Sequence, residues 1–365
     1  MRKRALLVAS VVLLGGSASA GLSSGLSSGR ATSFEGGEGP VWSPDGTQIA
    51  YIGPAPREFV SPKTETLTEI PGRNHVTVVA ADGSGSRRVV AAAPRSEALD
   101  EVRWAADGRF VYQDSNYTLW NVDPASRVVT RLGTVGVTGG VGEAFALSPN
   151  RRQVAFTAPC GCNVAQGDAV HLVAASGGVV RGLPRPTNAL DSDPSFSPAG
   201  KQVVFFRALV GKSAPPWPRN LSIVVESARG GPARSLGVHG DWPAFSPNGR
   251  WIAFIAPATS QLEVIPTVGG KPRALIPPRT AAVDSFSWSP DSARLIFTGP
   301  NKMGTVDLTG RQTVFSLPGL RPNLNTPQWS PDGNLIAFSA IKKGADLDLR
   351  VYVIGADGTG LRRLA

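Results

Sequence analysis

A phrase of thirteen residues recurs along this chain. It reads VWSPDGTQIAYIG at Val41–Gly53, AFSPNGRWIAFIA at Ala244–Ala256 and QWSPDGNLIAFSA at Gln328–Ala340. Weaker copies complete the series, and the turns begin 62, 43, 49, 49, 43 and 41 residues apart, at Ser43, Ala105, Ser148, Ser197, Ser246, Ser289 and Ser330. A period of about 45 residues predicts one supersecondary unit that is repeated along the chain.

Each unit contains four short segments. The first ends in an aromatic position, and a Ser-Pro-Asp-Gly type of turn follows it in most units. Pro suits the first central position of such a turn, Asp or Asn caps it, and Gly supplies the positive φ. The second and third segments are rich in β-branched and aromatic residues, and the short fourth contains Arg. We therefore predict an all-β fold, a seven-bladed β-propeller of four-stranded antiparallel blades.

The motif P-x-W-S-P-D-G-x-x-I-A-F, followed by V-Y-V-I-G-A-D-G-T-G-L-R-R-L, resembles the TolB-type propeller repeat. The same repeat builds the propeller of prolyl-oligopeptidase-like enzymes. The resemblance covers residues 38–365, although unit two has lost Ser-Pro and unit three has Leu147 in the aromatic position. It implies a propeller but specifies no function, because propellers host many functions.

The N-terminus has the pattern of a signal peptide. Basic MRKR precedes the apolar run ALLVASVVLLGG, and SASA offers a cleavage site after Ala20. We expect residues 1–20 to be removed, residues 21–33 to be a flexible Gly/Ser leader, and residues 34–365 to form one propeller. The protein would then be periplasmic, on the cell surface or secreted, with no transmembrane segment. The alternative is an uncleaved anchor, but the apolar run is short for a bilayer.

The chain is basic, with a formal net charge of +10. Its Lys and Arg residues are spread along the sequence, without a polybasic run or a nucleic-acid-binding motif. We expect no nucleic-acid partner and a monomeric protein. The expected partner is another envelope or extracellular protein, or a glycan. The Arg residues of the fourth segments suggest charged outer edges that discourage aggregation, or alternatively a contact with an anionic surface.

Acidic residues recur four positions before the aromatic position of each unit. We call this set the acidic column, and its members are Glu38, Asp100, Glu143, Ser192 with its neighbours Asp191 and Asp193, Asp241, Asp284 and Asn325. In a propeller this position lies where the chain enters the inner strand. We therefore expect the column to surround one mouth of the central channel.

The acidic column has two interpretations. Its oxygens could hold a calcium-like divalent cation or attract a basic segment of a partner. Alternatively, Asp and Asn at this position fix the backbone that enters the strand. The first interpretation predicts a binding module, or a cation-dependent lyase or hydrolase with its site at the channel mouth.

Other candidate residues lie in loops. His239 precedes an inner strand and could contribute to a site at the channel mouth, whereas His171 falls within a predicted strand and suggests a structural histidine. Trp217, between prolines in an insertion, could be an exposed anchor for a partner. Cys160 and Cys162 could form a local disulfide, remain free thiols or supply part of a metal site.

Overall fold

The computed structural model describes residues 38–53, 57–60, 67–70, 75–91, 99–114, 118–126, 128–134, 145–159, 168–209, 221–276, 282–300, 302–323, 327–343 and 349–364. The elements of regular secondary structure in these residues are all β-strands. Seven sheets form the blades of a propeller, which confirms the predicted fold. A two-stranded hairpin is inserted between the second and third strands of the first blade.

The strands of the first three blades and of the inserted hairpin follow in chain order. They are β1 (Glu38–Trp42), β2 (Gln48–Gly53), β3 (Arg57–Val60), β4 (Leu67–Ile70), β5 (His75–Ala80), β6 (Arg87–Ala91), β7 (Leu99–Trp104), β8 (Phe110–Asp114), β9 (Thr118–Val122), β10 (Val129–Thr134), β11 (Phe145–Leu147), β12 (Gln153–Pro159), β13 (Asp168–Ala174) and β14 (Arg181–Gly182). The hairpin consists of β3 and β4.

Four more blades complete the propeller. Their strands are β15 (Ala189–Phe196), β16 (Gln202–Leu209), β17 (Leu221–Ser227), β18 (Arg234–His239), β19 (Asp241–Phe245), β20 (Trp251–Ala256), β21 (Gln261–Pro266), β22 (Arg273–Ala274), β23 (Ser285–Trp288), β24 (Arg294–Gly299), β25 (Lys302–Asp307), β26 (Gln312–Val314), β27 (Leu320–Pro322), β28 (Gln328–Trp329), β29 (Leu335–Lys342), β30 (Leu349–Gly355) and β31 (Arg362–Arg363). In blade seven, β27 and β28 both pair with β29 and share the inner position.

Consecutive strands of each blade pair antiparallel, from the inner strand outward. Inner strands of neighbouring blades lie side by side, for example β15 with β19 and β28 with β1. The second of these contacts joins the last blade to the first, so the blades form a closed ring. We call the side that carries the β1–β2 connection and its counterparts the turn face. The opposite side, where the inner strands begin, is the entrance face.

The Ser-Pro-Asp-Gly turns have the same hydrogen bonds in several blades. In the first blade, Ser43 Oγ donates to Asp45 Oδ1 and accepts from the amide of Gln48 at 2.9 Å. The Asp45 carboxylate also accepts the amide of Thr47 at 3.1 Å. Ser289 and Asp291 repeat this pattern in blade six. The motif therefore recurs because it satisfies the polar groups of a tight connection between two buried strands.

The aromatic position links each blade to the one before it. Where it is Trp, its indole N–H donates to a carbonyl oxygen of the preceding inner strand. These hydrogen bonds run from Trp42 to Gln328 (3.1 Å), from Trp104 to Val41 (3.2 Å), from Trp288 to Ala244 (3.1 Å) and from Trp329 to Ser287 (3.3 Å). Each acceptor directly precedes the aromatic position of its own blade. Such a bond satisfies the buried indole and fixes the register between the two blades.

Arg residues in the fourth strands of blades three, four and seven link these blades to the ones that follow them. Arg234 Nη2 donates to the carbonyl oxygen of Thr267 in blade five at 2.7 Å. In the same way, Arg181 of blade three donates a hydrogen bond to the carbonyl oxygen of Ala228 in blade four, and Arg362 of blade seven donates one to the carbonyl oxygen of Ala81 in blade one. These three residues therefore clamp neighbouring blades, a role that the sequence pattern did not predict.

The ring closes with the same contacts that join the other blades. Blades one and seven share no strand among the described residues. The Trp42 and Arg362 hydrogen bonds cross this junction, and Ile49 and Tyr51 pack with Val351 and Val353 between the two blades. Closure therefore depends on side-chain packing and two side-chain hydrogen bonds.

One carboxylate is buried between blades three and four. Glu226 is 1 % exposed, and neither carboxylate oxygen has a hydrogen-bond partner among the described residues. It lies on the same sheet face as Val224, which belongs with Ala228 and with Leu172 of blade three to one apolar cluster. Burial raises the pKa of Glu226 to about 7, and the charge of Arg207 opposes this rise.

The first prediction concerns the indole bonds. We expect Trp288→Phe to lower the free energy of unfolding by about 1–3 kcal/mol, because the carbonyl of Ala244 loses its donor. Trp251→Phe is the control, since Trp251 forms no such hydrogen bond among the described residues. Urea denaturation of both variants measures the difference. Equal losses would show that the indole bond is not what joins the blades.

The second prediction concerns Glu226. A carboxyl whose pKa is higher in the folded than in the unfolded state costs stability as the pH rises between the two values. We expect the native protein to lose stability between about pH 4.5 and 7, and Glu226→Gln to remove up to about 3 kcal/mol of that loss. Urea denaturation across this range tests it, and parallel curves for the two proteins would contradict it.

Candidate functional site

The acidic column coincides with a repeated β-bulge. In blade five the ladder pairs Asp241 with Ile255 and then Ala244 with Ala253, so β19 accommodates one extra residue. The same shift follows the column position in blades one and four. A Pro lies in each of these bulges, and because Pro has no N–H it cannot continue the ladder. The column positions of these blades thus share one local backbone.

The residue before each of these prolines has a left-handed backbone. Its φ is 58° at Gly39 in blade one, 53° at Asp193 in blade four and 52° at Trp242 in blade five. Glycine adopts this conformation without steric cost, whereas a bulky side chain does not. Blade one therefore has the residue that the backbone favours, and blade five has one that it disfavours.

Asp191 belongs to a buried ion pair. Its carboxylate is fully buried, and Arg207 donates to it twice, from Nε to Oδ1 and from Nη2 to Oδ2, both at 2.7 Å. The two residues face each other in the register of β15 and β16. Burial raises the pKa of Asp191, and the hydrogen bonds and charge of Arg207 oppose this rise. Such a carboxylate has its acceptor positions occupied from within the fold.

Asp193 is also buried, at 5 % exposure. Ser192 Oγ lies 3.5 Å from Asp193 Oδ1 and donates to it, and Thr157 Oγ1 of blade three donates to Ser192 at 3.4 Å. In blade four, Ser192 therefore links the column to blade three through Thr157.

Asp241 and Asp284 differ from the acids of blade four. Both are half-buried, and no described residue forms a hydrogen bond or an ion pair with either carboxylate. Burial raises the pKa of Asp241 to about 6 and also raises that of Asp284. A partly exposed carboxyl with unused acceptor positions can bind a donor group of a ligand.

Trp242 lies beside Asp241 on the entrance face. Its side chain is 42 % exposed, although the neighbouring Pro243 and Phe245 are buried. No sequence motif identifies Trp242 as a site residue. It is recognised when the bulges of the blades are compared, because Trp242 of blade five occupies the position that Gly39 occupies in blade one.

Two of the histidines have distinct environments. His239 is exposed at the end of β18, two residues before Asp241, where it pairs with Ser222. His171 lies within β13, stacks on Phe156 with ring centroids 5.7 Å apart, and has Nδ1 3.0 Å from the carbonyl of Ala169. Burial lowers the pKa of His171, as is usual for a structural histidine.

Several candidates lie outside the described residues or have side chains that do. They are the side chains of Glu38 and Asp100, and the residues Glu143, Asn325, Trp217, Cys160 and Cys162. In the part of the chain that is described, no three His, Cys, Asp or Glu side chains form a group that could hold a metal ion. The calcium hypothesis therefore gains no support from Asp191, Asp193, Asp241 and Asp284.

An open cleft of about 520 Å³ lies between blades six and seven. It is lined by Arg294 and by turn and hairpin residues that include Asn334, Asp357 and Thr359. These residues belong to the turn face, whereas the acidic column belongs to the entrance face. The cleft is therefore separate from the candidate site.

The described residues include no helix that is long and apolar enough to cross a membrane.

The third prediction tests the structural role of Asp191. We expect Arg207→Met to lower the free energy of unfolding by about 3–5 kcal/mol near neutral pH, because it leaves a buried carboxylate without its partner. The loss should shrink at acidic pH, where Asp191 can take up a proton. Urea denaturation of the native protein and of the Arg207→Met variant, at about pH 4 and about pH 7, measures how the loss of stability depends on pH. A loss that is small or does not depend on pH would show that the pair contributes little.

No protein-family profile matches the chain, and no curated protein matches it. Solved structures do match it. A prolyl endopeptidase is 11 % identical with a TM-score of 0.62, and the match covers 91 % of this chain and 50 % of that one. An oligogalacturonate lyase in complex with manganese is 14 % identical with a TM-score of 0.54, over 72 % of this chain and 75 % of that one.

A protein assigned as TolB from Agrobacterium tumefaciens is 17 % identical, over 77 % of this chain and 84 % of that one. Its TM-score is 0.43. At their identities the likeness of the prolyl endopeptidase and of the oligogalacturonate lyase shows the fold alone. The chain is a seven-bladed β-propeller.

Proposed function

We propose that this chain is an exported binding module, which captures an envelope or extracellular protein, or a glycan, on its entrance face. Export rests on the signal-peptide pattern of residues 1–20. The binding role rests on one observation, the exposed and conformationally strained Trp242 beside Asp241.

The backbone around Trp242 carries this proposal. A non-glycine residue with a left-handed backbone costs roughly 1–2 kcal/mol, and packing commonly compensates for this cost. Trp242 leaves 42 % of its side chain exposed, so burial compensates only in part. Strained residues of this kind cluster where ligands bind. Trp is also among the residues that contribute most to protein interfaces.

Asp241 and His239 supply the polar part of the site. Asp241 is adjacent in sequence, and His239 is exposed at the end of the preceding strand. A flat indole and unused carboxylate oxygens can bind a ligand that has an apolar surface and hydrogen-bond donors. Sugars and basic peptide segments both have this chemistry.

A lyase or hydrolase at the channel mouth was the alternative. Such an enzyme needs several groups that converge on one cation. The described carboxylates form no group of this kind, so the alternative gains no support from them. The manganese of the oligogalacturonate lyase complex belongs to that protein, which shares only the fold with this chain.

The fourth prediction concerns Trp242. We expect Trp242→Asn to raise the free energy of unfolding by up to about 1 kcal/mol, because Asn tolerates a left-handed backbone better than Trp. The same change should abolish capture of the ligand. Urea denaturation measures the first effect. A pull-down with the chain from Gly21 onward, against envelope and culture-supernatant extracts, measures the second.

Val314→Asn is the matched control, because Val314 is 57 % exposed on the outer strand of blade six. A partner that is retained by this control and lost by Trp242→Asn would support the proposal. Parallel assays with calcium and with EDTA show whether a cation takes part. A partner bound equally by all three proteins would place recognition elsewhere, and a less stable Trp242→Asn variant would show that Trp242 serves packing.

A further inference from the structure

The turn face is not uniform around the ring. It carries two kinds of connection, the turn between the first and second strands and the hairpin between the third and fourth, because an antiparallel blade returns to the same side. In blades three, four and five these connections touch, since Ala175, Ala228 and Thr267 donate backbone hydrogen bonds to the turn residues Arg152, Lys201 and Arg250.

Asp residues occupy both connections in four of the blades. These are Asp45 and Asp82 in blade one, Asp107 and Asp123 in blade two, Asp291 and Asp307 in blade six, and Asp332 and Asp357 in blade seven. Blades three, four and five have Asn150, Ala199 and Asn248 at the turn position instead. Their hairpins contain Gly-Gly pairs and no acid.

The turn and hairpin segments of these three blades contain cations and no acid. We call this surface the basic crescent, formed by segments 147–153, 174–182, 197–202, 227–234, 246–251 and 266–274. It contains no Asp or Glu, and its cations are Arg151, Arg152, Arg181, Lys201, Arg229, Arg234, Arg250, Lys271 and Arg273. All of these except Arg151, which is half-buried, are exposed.

The crescent is continuous across the blades. A β-carbon at Gly200 would lie 3.7 Å from Cδ of Pro149 in blade three, and one at Gly249 would lie 3.5 Å from Cγ of Pro198 in blade four. These contacts place the three turns next to one another. The Arg181 and Arg234 hydrogen bonds place the three hairpins next to one another in the same way.

Apolar side chains project from the same hairpins. Val179 of blade three is 90 % exposed and Val268 of blade five is 87 % exposed. They lie two or three residues from Arg181 and Lys271 along the chain. The two valines belong to hairpins separated by blade four, so they form isolated apolar tips among cations.

We propose that the basic crescent docks this protein on an anionic lipid bilayer. The cations would bind lipid phosphates, and Val179 and Val268 would enter the headgroup layer. Isolated apolar side chains surrounded by cations fit the surface of an anionic bilayer, because this surface offers phosphates to the cations and an apolar layer beneath the headgroups to the valines. An acidic protein is the less favoured occupant, because valine is under-represented among residues that anchor protein interfaces.

The experiment is co-sedimentation of the chain from Gly21 onward with phosphatidylcholine vesicles, with and without phosphatidylglycerol. We expect binding to the anionic vesicles only, and a decrease as salt screens the charges. Arg152→Gln with Lys271→Gln should weaken binding about tenfold or more. Lys342→Gln with Lys343→Gln removes the same charge from exposed sites on the entrance face and should leave binding unchanged.

Insertion has its own measurement. The indole of a Val268→Trp variant should be quenched by brominated phospholipid in anionic vesicles. Equal loss of binding in both charge variants, or no quenching, would overturn the proposal. Binding to soluble polyglutamate without vesicle sedimentation would also overturn it, in favour of an acidic partner. Trp242→Asn should sediment like the native protein, so this proposal and the proposed function can fail separately.

Discussion

The ring depends on the packing of each blade against its two neighbours, and at four of the seven junctions a hydrogen bond from an indole to a carbonyl of the preceding blade reinforces that packing. A single blade exposes two apolar faces, and only neighbours can cover them. Apolar packing is non-directional, so it does not by itself set the height of one blade against the next. Where they occur, the indole hydrogen bonds fix the relative position of two blades at the inner strands, and the Arg hydrogen bonds fix it at the outer strands.

Much of the fold could be predicted from the sequence, because strand composition, turn residues and period all agree. The role of the fourth-strand Arg residues could not. An Arg on an outer strand has the same pattern whether it faces water or a carbonyl of the next blade. Only the packed ring brings Arg234 to Thr267.

The candidate site was less predictable for a related reason. Sequence position placed the column members alike, but their surroundings differ. Asp191 stands one residue before the column position of blade four and has Arg207 opposite it in β16, whereas Asp241 stands at the column position of blade five and has Ile255 opposite it. Trp242 could not be recognised without the backbone angle, since a Trp near an inner strand is ordinarily a core residue. The acidic column is thus a shared backbone feature on which individual blades differ in chemistry.

The junction between blades seven and one has a broader meaning. Because no described strand is shared there and the same kinds of contact recur at other junctions, the fold does not prefer one blade as the starting point. A gene whose order was rotated by whole blades would encode the same set of interfaces. Growth of such a ring by duplication of a single unit is compatible with this property, because a new copy would make the same kinds of contact as the described junctions.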